Sequence, residues 1–241
     1  LTPKSRDPNT DYLQLVDAAL DGPDTFEHKR EIVDEYGWRH FGDIYGDHEA
    51  VFHTGPSPLT SHYNNQYDAA AGMLCQFLRS GDVRWRKLAE DLVRHVIDID
   101  IYHTDGDKSA YNHGLFWHTF HYVDADTGTH RSYPKRGRTH DGKPVPGGGP
   151  SNEHNYAHGL MLHYLLTGDE SSREAAIELA QWVIDMDDGS KTPFRWLAGG
   201  YTGLASQSRT PDYHGPGRGP ANSISVLIDG HRLDPERGFL D

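Results

Sequence analysis

One stretch of this chain is written twice. Residues 72–100 align with residues 159–187 without a gap. Gly72/Gly159, Leu78/Leu165, Gly81/Gly168, Asp82/Asp169, Arg86/Arg173, Ala89/Ala176, Leu92/Leu179, Val96/Val183, Ile97/Ile184, Asp98/Asp185 and Asp100/Asp187 are identical pairs. Each copy carries an apolar segment, a Ser/Thr-Gly-Asp turn and a second apolar segment. This predicts a helical hairpin, because glycine suits the left-handed position past one helix and aspartate caps the next. One hairpin cannot bury its own apolar face, so a repeated one predicts a ring or stack. The residues leading into each copy are then expected to emerge at the same end.

Spacings of three and four extend the reading along the chain. Tyr63, Tyr67, Ala70, Ala71, Leu74, Phe77 and Leu78 predict a helix over 62–79, and Trp85, Leu88, Leu92, Val96 and Ile99 predict its return over 82–99. The second copy predicts helices over 152–166 and 170–186. Shorter helices are expected over 11–20, 26–36 and 112–122, with a third hairpin at 221–228 and 235–240. Residues 36–49, 124–150 and 187–220 have no helical period. Loops that long inside a compact domain are usually functional or disordered, and their aromatic and histidine content here favours function. The fold class expected is all-α.

Composition narrows what such a scaffold does. A net charge of −13 argues against general affinity for nucleic acid or anionic membranes, and no apolar run approaches membrane-spanning length. An anionic ligand stays open, because a local basic pocket can sit in an acidic protein. Aromatics at 11% with 17 histidines and 13 tyrosines suit polar loops around an aromatic-lined cleft, and do not suit disorder. The only cysteine, Cys75, excludes a disulfide within the chain and is expected to be a buried core thiol. The sequence begins at Leu1 and ends on Gly-Phe-Leu-Asp, as a piece of a longer polypeptide would.

The candidate chemistry lies before each repeat. Asn65-Gln-Tyr-Asp68 falls over Asn152-Glu-His-Asn155 when the copies are aligned backward. Asn65, Asp68, Asn152 and Asn155 either cap helices or meet a ligand at the helix N-termini. Tyr67, Glu153 and His154 are not needed as caps, which favours a site role. His154 and His158 (i, i+4) or His118 and His121 (i, i+3) have the spacing to share a metal, but no third ligand is specified. Hydrogen-bonding or acid/base histidines are the alternative, and no metal site is assigned. Trp117 and Phe120 either stack on sugar rings or fill the core. Arg131 and Lys135 suit a carboxylate partner, or form a solvated basic loop. Asp43, Asp47 and Glu49 near Trp38, Arg39 and His40 suit a glycosidase pair, salt bridges or calcium. No phosphate-binding glycine loop, nucleophile elbow or Cys-x-x-Cys pair is present.

Tyr36-Gly-Trp-Arg-His-Phe-Gly-Asp-Ile-Tyr-Gly-Asp-His-Glu49, His62-Tyr-Asn-Asn-Gln-Tyr-Asp68 and the Leu-x-Ser/Thr-Gly-Asp turns resemble the C-terminal toroid of exo-rhamnogalacturonan-lyase-like proteins, the PcRGLX/YetA-like group. The resemblance runs from about Tyr36 to the end. It implies one α/α toroid domain over 1–241, an incomplete ring of hairpins with long irregular loops. It also implies a barrel and a β-sandwich elsewhere in the same polypeptide, and an extracellular or cell-envelope location.

The activity expected is β-elimination on an acidic, pectin-like polysaccharide. Catalysis would fall to His154, Tyr67, Tyr156 and Glu153. Substrate would be bound by Arg39, His40, Asn65, Asp68, Trp117, Arg131, Lys135 and His158. No cofactor is expected, calcium being the one considered. The rivals are a glycoside hydrolase using two of Asp43, Asp47, Glu49, Asp68 and Glu153, or a non-catalytic glycan-binding or assembly module.

Overall fold

The computed structural model describes residues 1–23, 25–33, 65–107, 109, 111–116, 139–140, 143–144, 150, 152–186 and 218–241. This part is mostly helical, in keeping with an all-α class. Its helices are α1 (Thr10–Ala18), α2 (Phe26–Val33), α3 (Ala69–Ser80), α4 (Val83–His95), α5 (His158–Thr167), α6 (Glu170–Asp185) and α7 (Arg218–Leu233). The strands among the described residues are β1 (Thr139–His140) and β2 (Lys143–Pro144), an antiparallel pair with Thr139 opposite Pro144. No helix among the described residues is long and apolar enough to cross a membrane.

The two hairpin turns match bond for bond. Gly81 (φ 73°) donates to Phe77 O and Gly168 (φ 74°) to Tyr164 O, both at 2.7 Å. Ser80 Oγ donates to Gln76 O at 2.6 Å, and Thr167 Oγ1 to His163 O at 2.7 Å. Asp82 then caps α4 by accepting from Arg84 N at 2.9 Å, and Asp169 caps α6 by accepting from Ser171 N at 3.0 Å. A residue with a Cβ is strained at these φ values, which is why both copies carry glycine there.

Between the turns the hairpins share one core. Leu74, Leu88, Leu92, Val93, Leu160 and Leu179 are all buried within it. Truncating any of these leucines to alanine costs roughly 2–5 kcal/mol. Leu78 and Leu165 sit in the predicted apolar stripes, yet both are exposed beside their turns. Cys75 is half-buried, not a fully buried thiol. α1 and α2 close the first hairpin: Tyr12 OH accepts from Gln76 Nε2 at 2.7 Å, and Phe26 meets Trp85 edge-on at 6.4 Å.

Four expected boundaries move. α3 begins at Ala69 because Asn65, Tyr67 and Asp68 are all left-handed, which no helix tolerates. Before α5 there is one 3-10 turn (Asn152–His154) and an irregular link, not a continuous helix. After α4 the chain widens into a π turn (Val96–Asp100), a form that recurs at functional sites. The described part of the predicted helix at 112–122 is not helical: Leu115 bridges to Ile101 and Phe116 to Pro150. Gly114 allows that approach, since a Cβ there would lie 2.6 Å from the Pro150 ring and 2.8 Å from Trp182 Nε1.

The third hairpin is replaced by one helix. α7 runs through Asp229-Gly230, and Gly230 keeps a negative φ. That glycine makes room for Ala180, whose Cβ lies 2.5 Å from where a Gly230 Cβ would stand. Arg173, early in α6, donates to Leu233 O at the end of α7 at 3.2 Å. α7 therefore runs against α6 and in the same sense as α5.

Candidate functional site

The first leading segment places its side chains by backbone strain. Asn65 (φ 54°), Tyr67 (φ 59°) and Asp68 (φ 56°) hold a conformation costing roughly 1–2 kcal/mol per residue. Such strain clusters at functional sites. Its effect here is to turn Asn65 and Asp68 inward and Tyr67 outward, leaving Tyr67 63% exposed. Asn65 Oδ1 accepts from Ala70 N at 3.0 Å, and its amide donates to Asp68 Oδ1 at 3.3 Å. Asp68 also caps α3, accepting from Ala71 N at 3.3 Å.

The second leading segment comes to the same place. Gly159 N, in the first turn of α5, donates to Asp68 Oδ2 at 3.1 Å and Oδ1 at 3.2 Å. Asp68 is half-buried as a residue, but its carboxylate is shut in between the two helix starts. Burial pushes its pKa up, against the opposing pull of the Gly159 and Ala71 N–H groups and Asn65. The predicted meeting of the two leading edges is thus realised as a shared cap.

Around that junction the site is polar and open. The Glu153 backbone carbonyl accepts from Tyr156 OH at 3.1 Å and from Asn222 Nδ2 at 2.9 Å. The Glu153 carboxylate takes Arg218 Nη2 at 2.9 Å, at the start of α7. Burial raises the Tyr156 pKa, while the neighbouring Tyr67 backbone, Arg218 and Asn222 favour its ionised form. Burial works against the charge on Arg218, but the Glu153 bond and nearby Tyr156 and Tyr67 outweigh it and raise its pKa. Two phenols, a carboxylate, a guanidinium and an amide therefore converge where the segments leading into α3 and α5 meet the start of α7.

The other proposed residues are placed differently. His154 and Asn155 are buried, and Asn155 donates to Leu179 O at 3.2 Å. His158 opens α5 and holds Asp229 of α7 at 3.2 Å from Nδ1. That hydrogen bond raises its pKa, against burial. Asn65 and Asp68 serve the helix starts, so the bonds they make are structural. Arg39, His40, Trp117, Arg131 and Lys135 lie outside the described residues, as do Asp43, Asp47, Glu49, His118 and His121. No group of three or more His, Cys, Asp or Glu among the described residues is arranged to hold a metal ion.

Two features escaped the sequence reading. Arg218 and Asn222 precede or open the span expected for a third hairpin at 221–228. The second feature is a clasp on α6. Glu178 Oε1 meets His103 Nδ1 at 2.9 Å and His113 Nδ1 at 2.6 Å, and His113 Nε2 meets Asp105 at 2.8 Å. It ties the loop after α4 to the second hairpin and takes up both ring nitrogens of His113. No family model, curated protein or solved structure matches this chain.

Proposed function

We propose that the chain is the helical part of a carbohydrate-active enzyme, an α/α toroid forming an incomplete ring of hairpins. In this reading it cleaves acidic, pectin-like glycans by β-elimination, as its resemblance to exo-rhamnogalacturonan-lyase-like proteins implies. Further domains of the same polypeptide would complete the cleft. One observation carries the reading: Tyr67, Tyr156, Glu153 and Arg218 converge where the segments leading into α3 and α5 meet the start of α7. The starts of α3 and α5 lying side by side are also what a ring of hairpins requires.

In β-elimination a cation neutralises a uronate carboxylate, which makes the adjacent C–H acidic. A base then takes that proton and the glycosidic oxygen departs. Arg218 is the cation at hand in the described site. Tyr156, whose burial favours the protonated phenol, suits the acid that meets the departing oxygen. Tyr67 is exposed, where a sugar can reach it, and is assigned the proton abstraction, in which its phenolate oxygen takes the proton and becomes the phenol. His154 is buried, unlike Tyr67.

The test is a digest of rhamnogalacturonan and polygalacturonate, followed by the ultraviolet absorbance of unsaturated uronate products. Products are expected from the native chain within its full polypeptide. Tyr67→Phe and Tyr156→Phe are expected to slow release by roughly a hundredfold or more, the usual worth of a positioned acid or base. Absence of unsaturated products from every acidic glycan sinks the lyase reading.

A further inference from the structure

We infer that Arg218 is a carboxylate-binding residue held in waiting by Glu153, so that an acidic ligand enters by displacing an internal carboxylate. The identity of the ligand as a uronic acid rests on the glycan reading above; the exchange itself does not. Glu153 divides its work between backbone and side chain. Its backbone carbonyl anchors the segment, accepting from Asn222 Nδ2 at 2.9 Å and Tyr156 OH at 3.1 Å. Its carboxylate reaches out to Arg218, and the two side chains are 28% and 42% exposed. Releasing that carboxylate leaves the anchoring bonds in place.

The pair is also incompletely matched. Arg218 meets Glu153 through one nitrogen, Nη2 at 2.9 Å, whereas a guanidinium can grip a free carboxylate with two parallel N–H bonds. An exposed pair of this kind is weak, so exchange for an incoming carboxylate is cheap. The ligand that replaces Glu153 finds the Tyr156 and Tyr67 phenols beside the guanidinium, both close enough to influence its charge. A carboxylated sugar satisfies that set: its acid group takes the fork and its ring lies against exposed Tyr67. A neutral sugar has nothing to exchange for Glu153.

The experiment titrates D-galacturonate, D-galactose and acetate into the chain and its variants, with binding read by calorimetry or by chemical shifts. Galacturonate is expected to bind Glu153→Gln roughly two- to fivefold more tightly than the parent, the equivalent of one screened ion pair released. Arg218→Gln is expected to lose roughly tenfold, with Arg218→Lys recovering part of it. Thermal melts check that each variant folds. Unchanged or weaker galacturonate and acetate binding by Glu153→Gln overturns the exchange, and so does native affinity in Arg218→Gln. Tighter acetate binding by Glu153→Gln, with no galacturonate preference, supports the exchange and counts against the glycan reading. Lyase products whose KM ignores Arg218 support the lyase and overturn the exchange.

Discussion

Gly72 and Gly159 hold the same position in the two copies, and their surroundings are opposite. A Cβ on Gly72 would meet nothing within 4 Å, on an exposed face of α3. A Cβ on Gly159 would lie 2.6 Å from Asp68 Oδ1 and 2.7 Å from both Ala70 Cβ and Ala71 N. One glycine is spare, and the other is where two helix starts touch. The turns, by contrast, agree in their glycine, hydroxyl and backbone capping bonds, and differ where Asp82 also holds the Arg84 guanidinium. Duplication has kept the hairpins and changed what leads into them. His158, which pairs with Asp229, corresponds to the alanine Ala71 in the first copy.

Substitution at this pair of glycines makes the sharpest comparison. Gly159→Ala is expected to cost roughly 3 kcal/mol or more, because backbone and a packed methyl cannot retreat. Gly72→Ala is expected to stabilise by about 0.5–1 kcal/mol, since a helix-interior glycine loses its entropic penalty. Urea unfolding of the two variants reads the difference directly. Equal effects would dissolve the asymmetry between the copies.

The shared cap comes next. Asp68→Ala removes the acceptor for Gly159 N and Ala71 N together, and is expected to cost about 1–3 kcal/mol. The corresponding residue in the second copy is Asn155, whose amide serves Leu179 O instead. Hydrogen exchange should show the Gly159 amide losing protection in Asp68→Ala and keeping it in Asn155→Ala. The turns then provide the control: Gly81→Ala and Gly168→Ala are each expected to cost about 1–2 kcal/mol, by nearly the same amount. A large inequality would mean that one hairpin depends on its turn and the other does not.

The smallest effect is in pH. Asp229 raises the His158 pKa above its unfolded value, so the folded chain holds this proton more tightly. The resulting stability is complete below about pH 6.5, the ordinary histidine value, and fades as pH rises through the raised folded value. His158 is 43% exposed, so the swing should stay under about 1 kcal/mol. It should vanish in His158→Gln when melts are compared across that range. The alanine at position 71 supplies no such term from the first copy.

The periodic segments and the Gly-Asp turns were legible because their causes are local. A left-handed glycine and a capping aspartate do the same thing wherever a helix stops and another begins. The third hairpin expected at 221–228 and 235–240 failed for the complementary reason, since Gly230 lies between those spans inside α7. That glycine serves a helix contact with Ala180, which leaves no local mark. Tyr67, Glu153 and His154 were singled out by asking which leading residues were surplus to capping, and of these His154 is buried. Arg218 was missed because its helix was expected to begin later.

From its own residues the chain determined that it would make two hairpins, how each would turn, and that their leading edges would come together. Those outcomes follow from nearest-neighbour backbone chemistry and from apolar faces that need a partner. Tertiary structure alone decided that Asp68 would cap both hairpins, that Tyr67 would face water, and that Arg218 would meet Glu153. Each of those depends on groups far apart in sequence being pressed together. No spacing along the chain encodes that distance.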